Sequence, residues 1–213
     1  MRVLVASTNP DKLREIRALL PGVEVVALEA FPRIDEPEET GATFAENARL
    51  KALYYDAAAE TNTAPADGGA RTGDPTKVRP RYTVAEDSGL VIDALDGEPG
   101  VHSARFLRPD ASYPERFAEI YRRLAEAPAR ARSARFVCAV AVVHEGTVVY
   151  ETTGIVEGVI TGAPSGTGGF GYDPIFHYPP FGRTLADVPE VVKLGVAHRG
   201  KAFRQLAGWL EGA

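Results

Sequence analysis

The chain has 213 residues, 45% of them hydrophobic, and a formal net charge of −5. That size and composition give a buried core in one large domain or a two-lobed one, and the acidic balance argues against a broad nucleic-acid surface. Phosphate binding, if present, has to rest on a few placed cations. The single cysteine, Cys138, lies in an apolar run and reads as a small core residue, which fits a reducing compartment. No apolar run reaches the ~18 residues needed to span a membrane. Met1 to Ala6 has no signal-like apolar stretch. The expectation is a soluble cytoplasmic protein with no nucleic-acid or membrane partner.

In chain order, Val3-Leu4-Val5 reads as a buried strand. Ser7 or Asn9 then caps a helix with Pro10 in its first turn and Leu13, Ile16, Leu19 and Leu20 on one face. Pro21-Gly22 stops it, and Val23 to Leu28 reads as a second strand. Phe31 to Thr40 is acidic and proline-containing, so a loop is expected. Thr43 to Glu60 reads as a helix with a capping-box spacing at Thr43 and Glu46 and core contacts from Phe44, Ala48, Leu50 and Leu53. Thr61 to Arg81 lacks apolar periodicity and is expected to be a mobile loop. Tyr82 to Glu86 returns to strand, and Pro114 to Glu126 to helix. Ala134 to Val143 and Thr147 to Ile160 read as long strands joined by a turn at His144-Glu145-Gly146. The last helix runs from about His198 to Leu210, with Phe203, Leu206, Trp209 and Leu210 inward. Strands and helices interleave, and the long hairpin predicts a mixed sheet in an α/β fold.

Four groups of residues carry chemistry. Gly166-Thr167-Gly168-Gly169-Phe170-Gly171-Tyr172-Asp173-Pro174 crowds four glycines around two aromatics and a carboxylate. It is either a surface turn around a buried Phe170 or a platform whose ring face and polar edge receive a flat base. Ser7-Thr8-Asn9-Pro10-Asp11-Lys12 follows a strand and opens a helix, where backbone N–H groups and the dipole favour anions. The glycine spacing of a Walker A loop is absent, and an ordinary capped helix is the plain alternative. Glu36, Glu38 and Glu39, with Glu86-Asp87-Ser88, offer carboxylates at loop and strand ends. A Mg²⁺ ion needs only one or two of them beside phosphate oxygens and water. Lys193, His198, Arg199 and Lys201 lie near the start of the final helix, where cations oppose the dipole. They form a solvated basic patch or face a ligand.

In this order the segments Ser7 to Lys12, Glu38 to Ala48, Glu86 to Leu90, Pro99 to Arg105, Gly166 to Pro174 and Ala197 to Gly200 resemble the inosine triphosphate pyrophosphatase family. Within it they are similar to the bacterial and archaeal branch that clears aberrant purine nucleotides. The resemblance spans nearly the whole chain. It implies an elongated α/β fold with two lobes around a long mixed β-sheet, one two-lobed domain over residues 1–213, a nucleotide in the cleft, and a homodimer. It also implies Mg²⁺-dependent cleavage of inosine, deoxyinosine and xanthosine triphosphates to monophosphate and pyrophosphate.

Carried onto matching positions, Ser7, Asn9 and Lys12, with Thr8, Pro10 and Asp11 of the same loop, would bind the triphosphate, with Lys51 nearby. Glu39 and Asp87 would hold the metal. Asp87 would activate water, a task Glu86 is placed to share, and Ser88 would touch substrate. Phe170 would stack on the base with Gly171 and Tyr172 beside it. Asp173, Lys193, His198 and Arg199 would read the base edge. The chain departs from the family pattern at Thr8, where relatives often have glycine, and at Glu86, which replaces a common aspartate. Ala197 stands where serine is frequent, and Thr61 to Arg81 is longer than usual. A nucleotide-binding regulator that does not hydrolyse its ligand is the competing class; it has no need of a water-activating carboxylate beside a metal.

Overall fold

Residues Arg2–Val5 form strand β1, with Val3, Leu4 and Val5 fully shielded from solvent. Asn9 ends the following loop by accepting hydrogen bonds from the N–H groups of Asp11 and Lys12, and Pro10 opens helix α1, Pro10–Leu19. Such a cap contributes about 1 kcal/mol. Leu13, Ile16 and Leu20 are buried as the helical spacing predicts. Strand β2, Glu24–Ala27, pairs with β1 in parallel. The computed structural model describes residues 1–31, 34–63, 80–127 and 132–213.

Helix α2, Phe44–Thr63, starts at the expected capping box. The Glu46 N–H donates to Thr43 Oγ1 at 3.2 Å and the Thr43 N–H to Glu46 Oε2 at 3.1 Å. Its buried apolar face is Ala48, Ala52, Tyr55 and Ala59, whereas Leu50, expected in the core, is only partly covered. The helix continues past Glu60, and residues 64–79, the bulk of the expected mobile loop, lie outside the described residues.

Strand β3, Tyr82–Ile92, is 11 residues long. The short strand expected at Tyr82 to Glu86 is therefore a correction, and so is the placement of Asp87 at a strand end: Asp87 and Ser88 lie mid-strand. Ser112 and Glu115 form a capping box at the start of α3, Tyr113–Glu126. Strands β4, Ser133–His144, and β5, Thr147–Ile160, make the long hairpin. Short strands β6, Phe176–Tyr178, and β7, Arg183–Thr184, and helix α4, Glu190–Val196, carry no clear sequence pattern. Helix α5, His198–Glu211, closes the fold.

The sheet order is β2-β1-β3-β4-β5-β6-β7. β1 is parallel to both of its neighbours, and β6 is antiparallel to β5 and β7, so the sheet is mixed as expected in an α/β fold. Two compact units divide the chain. The first holds Met1–Asp87 and Ala139–Thr152, the second Ser88–Cys138 and Thr153–Gly212. Each has its own core. In the first, α2 packs Ala48, Ala52 and Tyr55 onto Leu4, Ala85 and Ala139. In the second, Phe117 and Ile120 of α3 pack with Leu90, Phe136, Tyr172 and Phe176. Cys138 is buried, as its apolar run predicts. Among the described residues no helix is long and apolar enough to cross a membrane.

The α3 cap sets an acid-side prediction. Hydrogen bonds from Arg108 and Ser112 push the Glu115 carboxyl down to about 2. A depressed carboxyl stabilises the fold above its unfolded value, and that contribution is lost as pH falls through the folded value. Denaturant titrations of the wild type should therefore lose stability from the ordinary glutamate range down toward pH about 2. Glu115→Gln should fall less steeply over that window; an identical slope would remove the cap from the acid response.

Candidate active site

The parallel register aligns Val5 of β1 with Val84 of β3. The loop after β1 therefore lies beside the next residues of β3, among them Glu86. Lys12, in the first turn of α1, places Nζ 2.6 Å from Glu86 Oε1, and the Glu86 side chain is almost fully buried. Within the loop, Ser7 Oγ accepts from the Asn9 N–H at 3.2 Å, and Thr8 Oγ1 donates to Glu36 Oε1 at 3.0 Å. Asp11 pairs with Arg14 at 2.6 Å. The helix N–H groups of Asp11 and Lys12, expected to face an anion, are bonded to Asn9 Oδ1 here.

Asp87, with 6% of its surface exposed, is gripped by one face of α2. Lys51 Nζ donates to Asp87 Oδ1 at 3.0 Å and to Glu39 Oε1 at 2.8 Å, and Asn47 Nδ2 donates to Asp87 Oδ2 at 3.3 Å. Burial pushes the Asp87 carboxyl up, and the neighbouring Lys51 charge offsets only part of that. Burial also disfavours the Lys51 ammonium, but Asp87 and the Glu39 hydrogen bond more than compensate, so Lys51 is held charged. A raised carboxyl is a stronger base than an exposed aspartate, which suits proton abstraction from water. Glu38 is exposed, in line with a solvated side chain.

Among the described residues, no group of three or more His, Cys, Asp or Glu side chains assembles into a metal-holding cluster. The donor chemistry of Glu39 and Asp87 nevertheless fits a hard divalent cation. Their carboxylate oxygens already converge on a single positive charge, the Lys51 ammonium.

In the second unit the glycine-rich loop wraps around Asp173. Its Oδ2 accepts from the Phe170 N–H at 3.0 Å and from Lys193 Nζ at 2.9 Å. Gly169 has φ +67, and a Cβ there would lie 2.0 Å from Asp173 Oδ2, so only glycine permits this approach. Phe170 is half-buried. Lys193 Nζ and the Arg199 guanidinium lie 5.3 and 5.5 Å from its ring centroid, within cation–π range. Arg199 also donates to Ser88 Oγ at 3.0 Å. Tyr172 is buried behind the loop, with its hydroxyl donating to the Ser103 carbonyl at 2.9 Å. Gly171 packs near the Tyr113 hydroxyl.

Lys193, His198 and Arg199 are all buried, so the solvated-patch reading of these three is set aside. Lys193 lies in α4, just before the final helix. Lys201 turns elsewhere and donates to the Ile155 carbonyl at 2.7 Å. The structure thus brings Lys12 to Glu86, Lys51 to Glu39 and Asp87, Ser88 to Arg199, and Phe170 to Asp173, Lys193 and Arg199. Two contributors escaped sequence reasoning. Asn47 holds Asp87, and Phe136 of β4 stacks on the His198 ring at 4.8 Å between centroids and 18° between planes. Asn47 was within reach as the polar residue one turn before Lys51 on a helix face. Phe136 has no local signal.

Comparison with known proteins places the chain in a family. The chain belongs to the Ham1 family, whose sequence profile matches residues 3–209. It is 41% identical over 213 residues to a dITP/XTP pyrophosphatase of Geobacter sulfurreducens, covering 98% of this chain and 97% of that one. It is 46% identical over 208 residues to a dITP/XTP pyrophosphatase of Gloeobacter violaceus, covering 97% and 93%. A HAM1 protein from Coxiella burnetii superposes with a TM-score of 0.80 at 34% identity, covering 100% of both chains. The family resemblance drawn from the motifs is borne out.

Lys193 and Asp173 form a buried ion pair, and removing one partner of such a pair typically costs ~3–5 kcal/mol. Lys193→Met should lower the urea midpoint by a corresponding amount. A variant as stable as the wild type would show that Asp173 does not need its cation.

Proposed function

We propose that the protein hydrolyses inosine, deoxyinosine and xanthosine triphosphates to the monophosphate and pyrophosphate, and so keeps deaminated purines out of the nucleotide pool. The observation that carries this reading is Asp87: a buried, raised carboxyl held beside Glu39 by Lys51. The printed names of the Geobacter and Gloeobacter relatives support the substrate class. The regulator reading gains no support from them, since both names are those of enzymes.

In this proposal Glu39 and Asp87 hold a Mg²⁺ ion, and Lys12 and Lys51 bind triphosphate oxygens together with the Ser7 to Asn9 loop. The ion, when bound, neutralises negative charge on the phosphate groups. Asp87 accepts a proton from water as the water oxygen bonds to the α-phosphorus. The bond from that phosphorus to the bridging oxygen breaks, and pyrophosphate leaves. Phe170 stacks on the base, while Lys193 and Arg199, both near its ring, and His198, stacked on Phe136, supply polar contacts.

Hypoxanthine and xanthine carry a carbonyl at position six where adenine carries an amino group. Donors from His198 or Arg199 pair with the carbonyl and oppose the amino group donor to donor. Each buried polar group left unpaired costs ~1–3 kcal/mol, which is how such a site rejects adenine.

Asp87→Asn should lower turnover of inosine triphosphate by at least ~100-fold with circular dichroism unchanged, the range expected on losing a general base. Wild-type turnover in that variant contradicts the role of Asp87. Phe170→Ala should raise KM by about tenfold, the equivalent of losing one base stack, while kcat holds. An unchanged KM removes Phe170 from the base contact.

A further inference from the structure

We infer that Asn47 is a positioning residue for the reaction: its side-chain amide ties Asp87 to the loop that carries Glu39. This inference rests on the reading that Asp87 and Glu39 form the reactive, metal-holding pair. Asn47 is 0% exposed and lies on α2 one turn before Lys51, on the same face. Its Oδ1 accepts from the Gly41 N–H at 2.8 Å, and its Nδ2 donates to Asp87 Oδ2 at 3.3 Å. The partners fix the amide orientation. A backbone N–H only donates and an ionised carboxylate only accepts, so the oxygen faces Gly41 and the nitrogen faces Asp87.

One planar amide therefore spans two elements distant in sequence. Gly41 stands two residues after Glu39, so the span fixes the spacing between the Glu39 loop and Asp87. Asn47 and Lys51 divide the Asp87 carboxylate between them, Lys51 on Oδ1 and Asn47 on Oδ2. That holds the carboxylate plane against rotation. Gly41 is part of the same device: a Cβ there would lie 2.6 Å from Asn47 Oδ1, so a larger residue would push the amide away. The buried apolar neighbours of Asn47 on α2 are mostly alanines, and a buried amide is costly unless both of its ends are bonded. A helix needing only core packing would carry alanine here.

The test compares Asn47→Asp with Asn47→Ala. Asn47→Asp keeps the acceptor for Gly41 and removes the donor to Asp87; Asn47→Ala removes both. Turnover of inosine triphosphate, thermal unfolding and Mn²⁺ binding by paramagnetic resonance are measured on all three proteins. The inference expects kcat to fall at least tenfold in both variants with KM changed less than threefold. It expects Asn47→Asp to fold with a lowered Tm, because a second buried carboxylate then faces Asp87, and Asn47→Ala to bind Mn²⁺ about tenfold more weakly. Wild-type kcat in Asn47→Asp, with only Tm lost in Asn47→Ala, would reduce Asn47 to a structural anchor and overturn the inference while leaving the metal reading intact. A wild-type protein that binds no Mn²⁺, with or without substrate, would overturn the metal reading and this inference together.

Discussion

The organisation of the first unit follows from one constraint: two consecutive carboxylates, Glu86 and Asp87, are buried in the middle of a β-strand. Buried carboxylates are strongly disfavoured unless charged and hydrogen-bonding partners surround them. The two carboxylates take different close partners. The fold answers with separate helices. Lys12 of α1 reaches Glu86, and Asn47 and Lys51 of α2 reach Asp87. The register of β1 on β3 and the docking of α2 are thus packing solutions that also solve an electrostatic problem. The Lys51 ammonium is a compensation that leaves Asp87 raised, and a raised carboxyl is what proton transfer from water asks for.

The second unit meets a related demand by different means. Asp173 is buried beneath a loop whose Gly169 permits contact no side chain would allow, and Lys193 balances its charge. Two cations lie at cation–π distance from the Phe170 ring, so the aromatic and the polar groups around it form one unit. Their burial separates this arrangement from a basic surface patch. Gly200 contributes from behind: a Cβ there would lie 1.8 Å from the Leu194 carbonyl, so α4 and α5 pack together, with His198 and Arg199 at the junction, only around glycine.

Much of this was legible in the sequence where the signal is local. The cap at Ser7 or Asn9 (it is Asn9), the Thr43–Glu46 box and the long hairpin depend on neighbouring residues. What escaped depends on residues far apart. Glu86-Asp87-Ser88-Gly89 looks like the end of a strand because its residues are polar. It continues as strand because Lys12, Lys51, Asn47 and Arg199, drawn from three helices, satisfy those side chains. Leu50 was expected inside because it is apolar, but the alanines and Tyr55 form the buried face. The short helix that carries Lys193 has no apolar period to reveal it. Asn47 had no assigned role because an amide gains meaning only from both of its partners.

The most direct measurement incubates the purified protein with Mg²⁺ and, separately, the triphosphates of inosine, xanthosine, guanosine and adenosine, and assays pyrophosphate against orthophosphate. The account predicts pyrophosphate and monophosphate from the inosine and xanthosine nucleotides and little product from adenosine triphosphate. Orthophosphate release, or equal turnover of adenosine triphosphate, would contradict it.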